Sequence, residues 1–199
     1  MRNTDSGAAD VERVALKEWA VLVSAMARGE LLAMIRKGGI REHRAGFDVR
    51  HDRFLLYPTF FHEKLDELDA RFHPMLESVH ASTPPPGTIE LRYLANVAAV
   101  WRVTELERLR AIDAEHGLTW GAVESRFRYR DDPRVHVVAV RLARLPSAVS
   151  LPEVRRYTGC VSWVKLDRDV DVSGSIPVIA DDIFAARMRA LTDVLGAGA

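Results

Sequence analysis

The chain has 199 residues, of which 48% are apolar and 28% charged, and its 28 basic side chains balance its 28 acidic ones. This length and composition exclude collagen-like, disulfide-scaffold and wholly disordered chains. The zero formal charge argues against a protein that coats nucleic acid non-specifically, although a local basic face would still attract phosphates.

The N-terminus and the single cysteine indicate the cellular context. Residues 1–10 are polar and predict a disordered tail, followed by a single α+β domain over 11–199. The tail lacks the apolar run of a signal peptide, and no apolar stretch approaches the ~18 residues of a membrane span. Cys160 stands alone, which excludes an internal disulfide and a cysteine-rich zinc site. We therefore expect a cytoplasmic protein with no membrane partner.

Short elements are predicted after the tail. Residues 20–23 are continuously apolar and predict a buried strand, and residues 24–29 predict a short helix that ends at Gly29. Residues 31–35 predict a second strand. A single helix through residues 11–35 is the competing interpretation, and Gly29 argues against it.

The next part of the chain mixes loop, strand and helix signals. Residues 40–52 are polar and basic, which predicts a loop with one short strand at 47–49. The apolar run 53–57 predicts a buried strand that Pro58 ends. Apolar residues at helical spacing predict a helix over 62–80.

The proline-rich segment 82–88 is the clearest break in the chain. It either separates two subdomains or merely links a helix to a strand. The following residues 88–103 predict one long strand or a bent pair. Residues 104–116 predict a helix with Thr104 as its N-cap and Gly117 as its C-cap.

The remaining sequence alternates between helix and strand signals. Residues 118–128 predict a helix, and 135–145 predict a strand that Pro146 ends. An irregular stretch follows over 157–166, and a final helix is predicted over 181–195.

These elements together indicate the fold class. Few of the predicted strand–helix–strand units are long enough for parallel crossovers. We therefore predict an α+β fold with a mostly antiparallel, curved or barrel-like sheet and flanking helices.

Four short strings, spread over most of the chain, carry a resemblance to a known family. They are Leu16-Lys17-Glu18-Trp19, Arg36-Lys37-Gly38-Gly39-Ile40-Arg41-Glu42, Leu55-Leu56-Tyr57-Pro58-Thr59 with His62, and Gly159-Cys160-Val161-Ser162-Trp163. With these strings the chain resembles the bacterial family known as domain of unknown function 1802 (DUF1802). The family pattern has a glutamine after the histidine, where this chain has Glu63. The resemblance implies no activity, so the chemistry has to be inferred from the residues.

Charge is segregated along the chain despite the neutral total. Residues 28–53 hold seven basic and four acidic side chains, whereas residues 62–80 hold five acidic side chains and only two lysines or arginines. The basic segment contains the strongest candidate for an anion site. Arg36 and Lys37 stand before Gly38 and Gly39, where bare backbone amides and two cations can hold a phosphate or carboxylate.

Aromatic residues near the basic turn suggest a ligand with bases. Trp19 and Tyr57 could stack on a nucleobase. The alternative is a solvated turn beside buried aromatic side chains. The predicted ligand-binding residues are Lys17, Trp19, Arg36, Lys37, Gly38, Gly39, Arg41, Tyr57 and Trp163.

Three residues are candidates for catalysis. Glu18 and Glu42 flank the basic group and could form a metal-binding or general-base pair, or they could be ion-pair partners that organise the arginines. His62 is predicted to open a helix, where a neutral imidazole could act as a base, or it could be a capping residue. Cys160 has no adjacent base and is predicted to be a small buried residue.

Several enzyme classes are disfavoured because their motifs are absent from the sequence. The chain has no GxxxxGK[ST], HExxH or GxSxG string, and its histidines show no spacing typical of a metal site. We expect neither a metal nor a cofactor. The leading hypothesis is a nucleic-acid- or nucleotide-binding domain, which matches the fold-level similarity of a barrel-like sheet to the PUA-like group. The alternatives are an enzyme acting on a phosphorylated or anionic small molecule, and an interaction or dimerisation module.

Overall fold

The computed structural model of the chain describes residues 10–37, 51–60, 64–159 and 161–198. The strands are β1 (Val11–Trp19), β2 (Ala33–Arg36), β3 (Arg53–Thr59), β4 (Thr88–Val103), β5 (Val135–Pro152), β6 (Trp163–Asp171) and β7 (Ile176–Pro177). The helices are α1 (Ala20–Ala27), α2 (Leu76–Ala81), α3 (Leu106–Arg110), α4 (Trp120–Arg128) and α5 (Asp181–Leu195). Short 3-10 helices cover Ala70–Met75, Asp113–Glu115, Tyr129–Asp131 and Arg155–Tyr157. The predicted strand at 47–49 lies outside the described residues.

All seven strands belong to one sheet. Six follow the order β2-β5-β4-β3-β1-β6, and β7 pairs with β5. The β1–β3 pair is parallel, and the other strand pairs are antiparallel. The prediction of an α+β fold with a mostly antiparallel sheet and flanking helices is therefore confirmed.

The sheet is curved, and both of its faces are covered. In β3 the consecutive residues Phe54 and Leu55 are fully buried, yet they belong to different apolar clusters, because neighbouring side chains of a strand point to opposite faces. One cluster extends into the helices. The other draws nearly all of its members from strands, among them Leu91, Leu145 and Leu166, and adds Tyr157 from a 3-10 helix. This second cluster is the interior of the curl that the sheet forms.

Residues 20–23 form the first half of α1, so the strand predicted there is wrong. The strand lies earlier, at β1, and β1 runs directly into the helix. These four residues are buried all round, and an apolar run of this kind looks the same in a buried helix and a buried strand. Gly29 does follow the end of the helix, with a φ of +74° that suits glycine.

The two predicted helices over 62–80 and 104–116 are shorter than expected. The first contains a 3-10 helix that Asp69 caps by accepting a bond from Arg71 N, followed by α2. The second contains α3 and a separate 3-10 turn, and Thr104 is not its cap. Short helices of this kind depend on packing more than on local propensity, which limits prediction from sequence.

Two prolines lie inside strands that they were expected to end. On one edge of β3, Pro58 pairs with Glu18 of β1. On the other edge, the pairing with β4 ends at Leu55, so a backbone N–H at Pro58 is not needed to bond to β4. Pro146 lies where the β4–β5 register shifts, at an irregularity that also tolerates proline. By contrast, β4 and α5 begin and end at the predicted residues.

Within the described ranges, no helix has both the length and the apolar character needed to cross a bilayer.

Gly117 occupies a backbone position that other residues tolerate poorly. Its φ is +69°, and an added Cβ would lie 2.7 Å from Leu22 Cδ2 and 2.8 Å from Leu31 Cδ1. We expect Gly117→Ala to lower the free energy of unfolding by about 3 kcal/mol, because backbone strain and overpacking add. Gly87→Ala is the matched control, since Gly87 has a φ of +77° with open space around it and should cost only about 1 kcal/mol. Equal losses in urea unfolding would contradict the packing contribution.

His116 makes stability depend on pH. Its side chain is buried, its Nδ1 accepts a bond from Leu118 N at 3.1 Å, and burial lowers its pKa from 6.5 to about 4. Asp113, 3.8 Å from Nε2, opposes this shift without cancelling it. Between pH 4 and pH 6.5 the unfolded chain binds more protons than the folded protein. The contribution of neutral His116 to the free energy of unfolding is therefore complete above pH 6.5 and is lost as the pH falls towards 4.

The expected loss over this range is about 3 kcal/mol, at about 1.4 kcal/mol for each unit of pKa difference. Urea unfolding at several pH values measures it. His116→Asn is the control, because an asparagine oxygen can accept the Leu118 N–H but does not titrate. If the variant retains the slope of the parent protein, His116 is not its source.

Candidate functional site

The four strings of the sequence analysis meet at the C-terminal end of β1, as far as the structure describes them. Leu16 pairs with Leu56 on one side and with Trp163 on the other. Lys17 N donates to Ser162 O at 2.9 Å, and Arg36 Nη2 donates to Lys17 O at 2.7 Å. We use the name β1-end cluster for Lys17, Glu18, Trp19, Arg36, Tyr57 and Arg126.

Arg36 and Glu18 form the centre of the β1-end cluster. Arg36 Nη2 lies 2.9 Å from Glu18 Oε2, and their side chains are only 17% and 12% exposed. The other Glu18 oxygen accepts a bond from Trp19 N at 2.9 Å. Arg36 Nε is buried and, within the described chain, has no hydrogen-bond partner. The cluster thus holds one shielded ion pair and one unused donor.

Arg126 of α4 brings a second guanidinium to the same place. Its Nη1 donates to Ile35 O at 3.4 Å, and its guanidinium carbon is 5.5 Å from the centre of the Trp19 ring. Burial lowers the pKa of Arg126, and the like charge of Arg36 lowers it further, against the attraction of Glu18 and Glu67. Positive charge is therefore concentrated here at a cost in hydration.

Glu67 balances part of this charge from the outer side. It lies 3.4 Å from Arg126 Nη2 and 2.6 Å from Lys64 Nζ. Burial works to raise the pKa of Glu67, but the bond to Lys64 and the charge of Arg126 prevail and lower it. Three cations, Arg36, Arg126 and Lys64, are thus gathered around two carboxylates.

Lys17 and Tyr57 are paired on neighbouring strands. Lys17 Nζ lies 5.4 Å from the centre of the Tyr57 ring and donates to Gly159 O at 3.1 Å. The Tyr57 hydroxyl donates to Glu153 Oε1 at 2.6 Å, and burial, together with this carboxylate, raises the pKa of Tyr57. Tyr57 remains a neutral donor, with its ring buried against the lysine.

Lys37 is directed away from the β1-end cluster. Its ammonium donates to Phe127 O at 3.0 Å, to Arg134 O at 2.8 Å and to Asp132 O. Three carbonyls match the three donors of a lysine, and the bonds fix the C-terminal end of α4. Binding of an anion by Lys37, as predicted from sequence, would require these bonds to be exchanged.

Trp163 forms a packed wall beside the β1-end cluster. Its ring meets Phe54 edge-on, with centroids 5.0 Å apart, and meets His51 in a similar way at 5.1 Å. Such edge-to-face contacts fix the ring in place. The predicted site residues Gly38, Gly39, Arg41, Glu42 and His62, together with Cys160, lie outside the described residues, so their roles stay predictions.

Comparison with known proteins agrees with the four strings. The family described as a domain of unknown function (DUF1802) matches residues 15–190 of the 199-residue chain. The chain belongs to the DUF1802 family. No curated protein matches it.

Two solved structures share part of the architecture of this DUF1802 chain. A serine-to-alanine point mutant of the ASCH protein from Zymomonas mobilis is 12% identical, with a TM-score of 0.46 over 81% of this chain and 92% of that one. A second structure of ASCH from Zymomonas mobilis gives 12% identity and a TM-score of 0.44, over 78% of this chain and 87% of that one. Both similarities are too distant to bear on the chemistry of the site.

The sequence patterns of this DUF1802 chain do not identify Arg126 as a residue of the site. The residue is ninety positions from Arg36 and belongs to none of the four strings. A signal was nevertheless present, because Arg126 stands three and four residues after Val123 and Ala122, which are buried in α4. A charged residue on the buried face of a helix indicates a buried partner, which is Glu67 in this case.

Catalytic groups do not converge within the described part of this DUF1802 chain. No group of three His, Cys, Asp or Glu side chains in that part could hold a metal ion. A cavity of about 270 Å³ lies next to the start of α1 and is lined by Phe60, Tyr93 and Glu90 among others. A second, of about 330 Å³, lies beside Asp69 and Trp120. Glu18 lines neither cavity, and its carboxylate serves Arg36.

The Glu18–Arg36 pair should matter far more for stability than a surface pair. We expect Glu18→Gln to lower the free energy of unfolding by about 3 kcal/mol, because Arg36 would stay buried without its counter-charge. Glu124→Gln is the control. It breaks the 2.9 Å pair with Arg128, which is 67% exposed, and should cost less than about 1 kcal/mol. Similar losses for both variants in urea unfolding would contradict this assignment.

Proposed function

We propose that the protein binds a nucleic acid or a nucleotide through the β1-end cluster. The observation that carries this proposal is an unused donor on a buried guanidinium that lies beside a second guanidinium. Arg36 and Arg126 are brought together around Glu18, and Arg36 Nε is a buried donor with no partner in the described chain. Buried polar groups are normally satisfied, so an unused guanidinium donor supports an anionic ligand.

The chemistry of the cations suits a phosphate. A guanidinium presents a planar set of donors that matches phosphate oxygens, and lysine adds a compact point charge. Lys17 points to the face of β1 opposite Glu18 and keeps its ammonium at the strand end, above the Tyr57 ring. A phosphate at this end of β1 would neutralise charge that Glu18 and Glu67 balance only in part.

An aromatic ring adds a second element of nucleotide recognition. Trp19 is half-buried, with one side of its ring near Arg126. Bases stack on aromatic rings and guanidinium planes without regard to sequence. The predicted basic turn of Gly38, Gly39 and Arg41 follows directly on Arg36 and Lys37 and remains part of this proposal.

Binding should depend on Lys17 and on salt. We expect Lys17→Met to weaken binding of a labelled RNA or DNA roughly tenfold. The slope of log K against log salt should become less steep by about 0.7 to 0.9, which corresponds to the loss of one phosphate contact. Arg41→Ala should act in the same direction. Fluorescence anisotropy at several salt concentrations measures both quantities.

Lys165→Met is the matched control, because Lys165 is an exposed lysine of β6 outside the cluster. It should bind within about twofold of the parent protein, since a distant surface charge is screened. Binding that ignores salt, or equal effects of the Lys17 and Lys165 variants, would contradict the proposal. An absence of binding to any nucleic acid or nucleotide would remove it.

A further inference from the structure

The turn after α4 exposes an aromatic ring beside a guanidinium. Tyr129 is 50% exposed, so one part of its ring is open to solvent. The guanidinium carbon of Arg130 lies 5.2 Å from the centre of its ring. An exposed ring paired with a cation is a surface on which a base can stack.

The backbone holds this pair in a strained conformation. Arg130 and Asp131 have φ values of +62° and +52°, a left-handed geometry that costs about 1 kcal/mol or more for each side chain. Such strain persists only where surrounding contacts impose it. Here the Lys37 ammonium binds the carbonyls of Phe127, Asp132 and Arg134, on both sides of the strained residues. Tyr129 is therefore presented by a braced turn.

The turn is rich in arginine. Residues 126–134 contain four arginines and two aspartates. Three of these arginines have acidic partners, Arg126 in Glu67, Arg128 in Glu124 and Arg134 in Asp132. The exposed Arg102 lies on the neighbouring strand β4, in register with His136. The carbonyls at the end of a helix normally repel anions, but the Lys37 ammonium neutralises them here. A phosphate backbone can therefore approach this surface.

The turn is continuous with the β1-end cluster. Arg126, which lies beside the Trp19 ring, belongs to the last turn of α4, and Tyr129 directly follows the end of that helix. Two aromatic–guanidinium pairs, Trp19 with Arg126 and Tyr129 with Arg130, thus flank the C-terminal turn of α4.

We propose that the partner of the β1-end cluster is a single-stranded nucleic acid, whose strand passes over the end of α4 and stacks a base on Tyr129 beside Arg130. This inference rests on the proposed function and adds the class of partner. A duplex keeps its bases stacked on one another, so only a single strand offers bases to exposed rings. Phosphates between the two aromatic pairs face the arginines of residues 126–134.

The test compares single-stranded and double-stranded oligonucleotides of the same sequence, as RNA and as DNA, by fluorescence anisotropy with the full chain. We expect tighter binding to the single strands. Tyr129→Ala should weaken that binding about tenfold, because it removes the stacking surface. Tyr129→Phe keeps the ring and should stay within about twofold. Ile183→Ala, at another exposed apolar residue of α5, is the control and should change nothing.

A second variant separates charge from stacking. Arg130→Gly removes the guanidinium and suits the left-handed backbone at residue 130, so the turn should fold with less strain. It should reduce the salt dependence of single-strand binding by about 0.7 in the slope of log K against log salt. Tyr129→Ala should leave that slope unchanged. Urea unfolding of each variant confirms that the fold is retained.

The outcomes distinguish this inference from the proposed function. If the parent protein binds single strands and Tyr129→Ala binds them equally well, the inference is overturned and the β1-end cluster keeps its proposed role. Equal or tighter binding to the duplex also overturns it. If the parent protein binds neither form, nor any nucleotide, the proposed function itself fails.

Discussion

The ion pair between Glu18 and Arg36 is the interaction on which this arrangement depends. β2 lies at one edge of the sheet, four strands away from β1 in the sheet order, yet Arg36 reaches both the Glu18 carboxylate and the Lys17 carbonyl. The sheet must curl for this contact to form. The same curl encloses the second apolar cluster, in which Tyr57 and Leu91 are buried. Hydrophobic burial and the placement of charge therefore depend on one curvature.

Two of the four lysines, Lys37 and Lys17, donate to backbone carbonyls as compact ammonium groups. Only four of the 28 basic residues are lysines. The ammonium of Lys37 is compact and donates to three backbone carbonyls. A planar guanidinium at this position could not bond to all three carbonyls. Lys17 likewise donates to the Gly159 carbonyl beside an aromatic ring. Arginine, in contrast, is used where one side chain must reach two acceptors, as Arg36 does.

Local signals in the sequence predicted some features and missed others for identifiable reasons. The helix α5 and the strand β4 were predicted because turn residues bound them and apolar residues recur along them at regular spacing. Residues 20–23 were assigned to a strand because a uniformly buried run carries no periodicity. Lys17, Glu18 and Arg36 could be chosen as candidates from short strings, but Arg126 could not, because its partners are distant along the chain. Similarly, the inward bonds of Lys37 follow from tertiary packing, which no local pattern encodes.

The position of β1 has a consequence for how the chain reaches its final form during synthesis. β1 is made before both of its neighbours, β3 and β6, and Val172 N extends the pairing of β1 with β6 by donating to Asp10 O at 2.8 Å. One edge of β1 has no partner until residues 163–171 have left the ribosome. A nascent chain with an open strand edge can pair with other chains. The charged residues Glu12 and Arg13 near the start of β1 act as gatekeepers at that stage, because charges on an edge oppose such pairing.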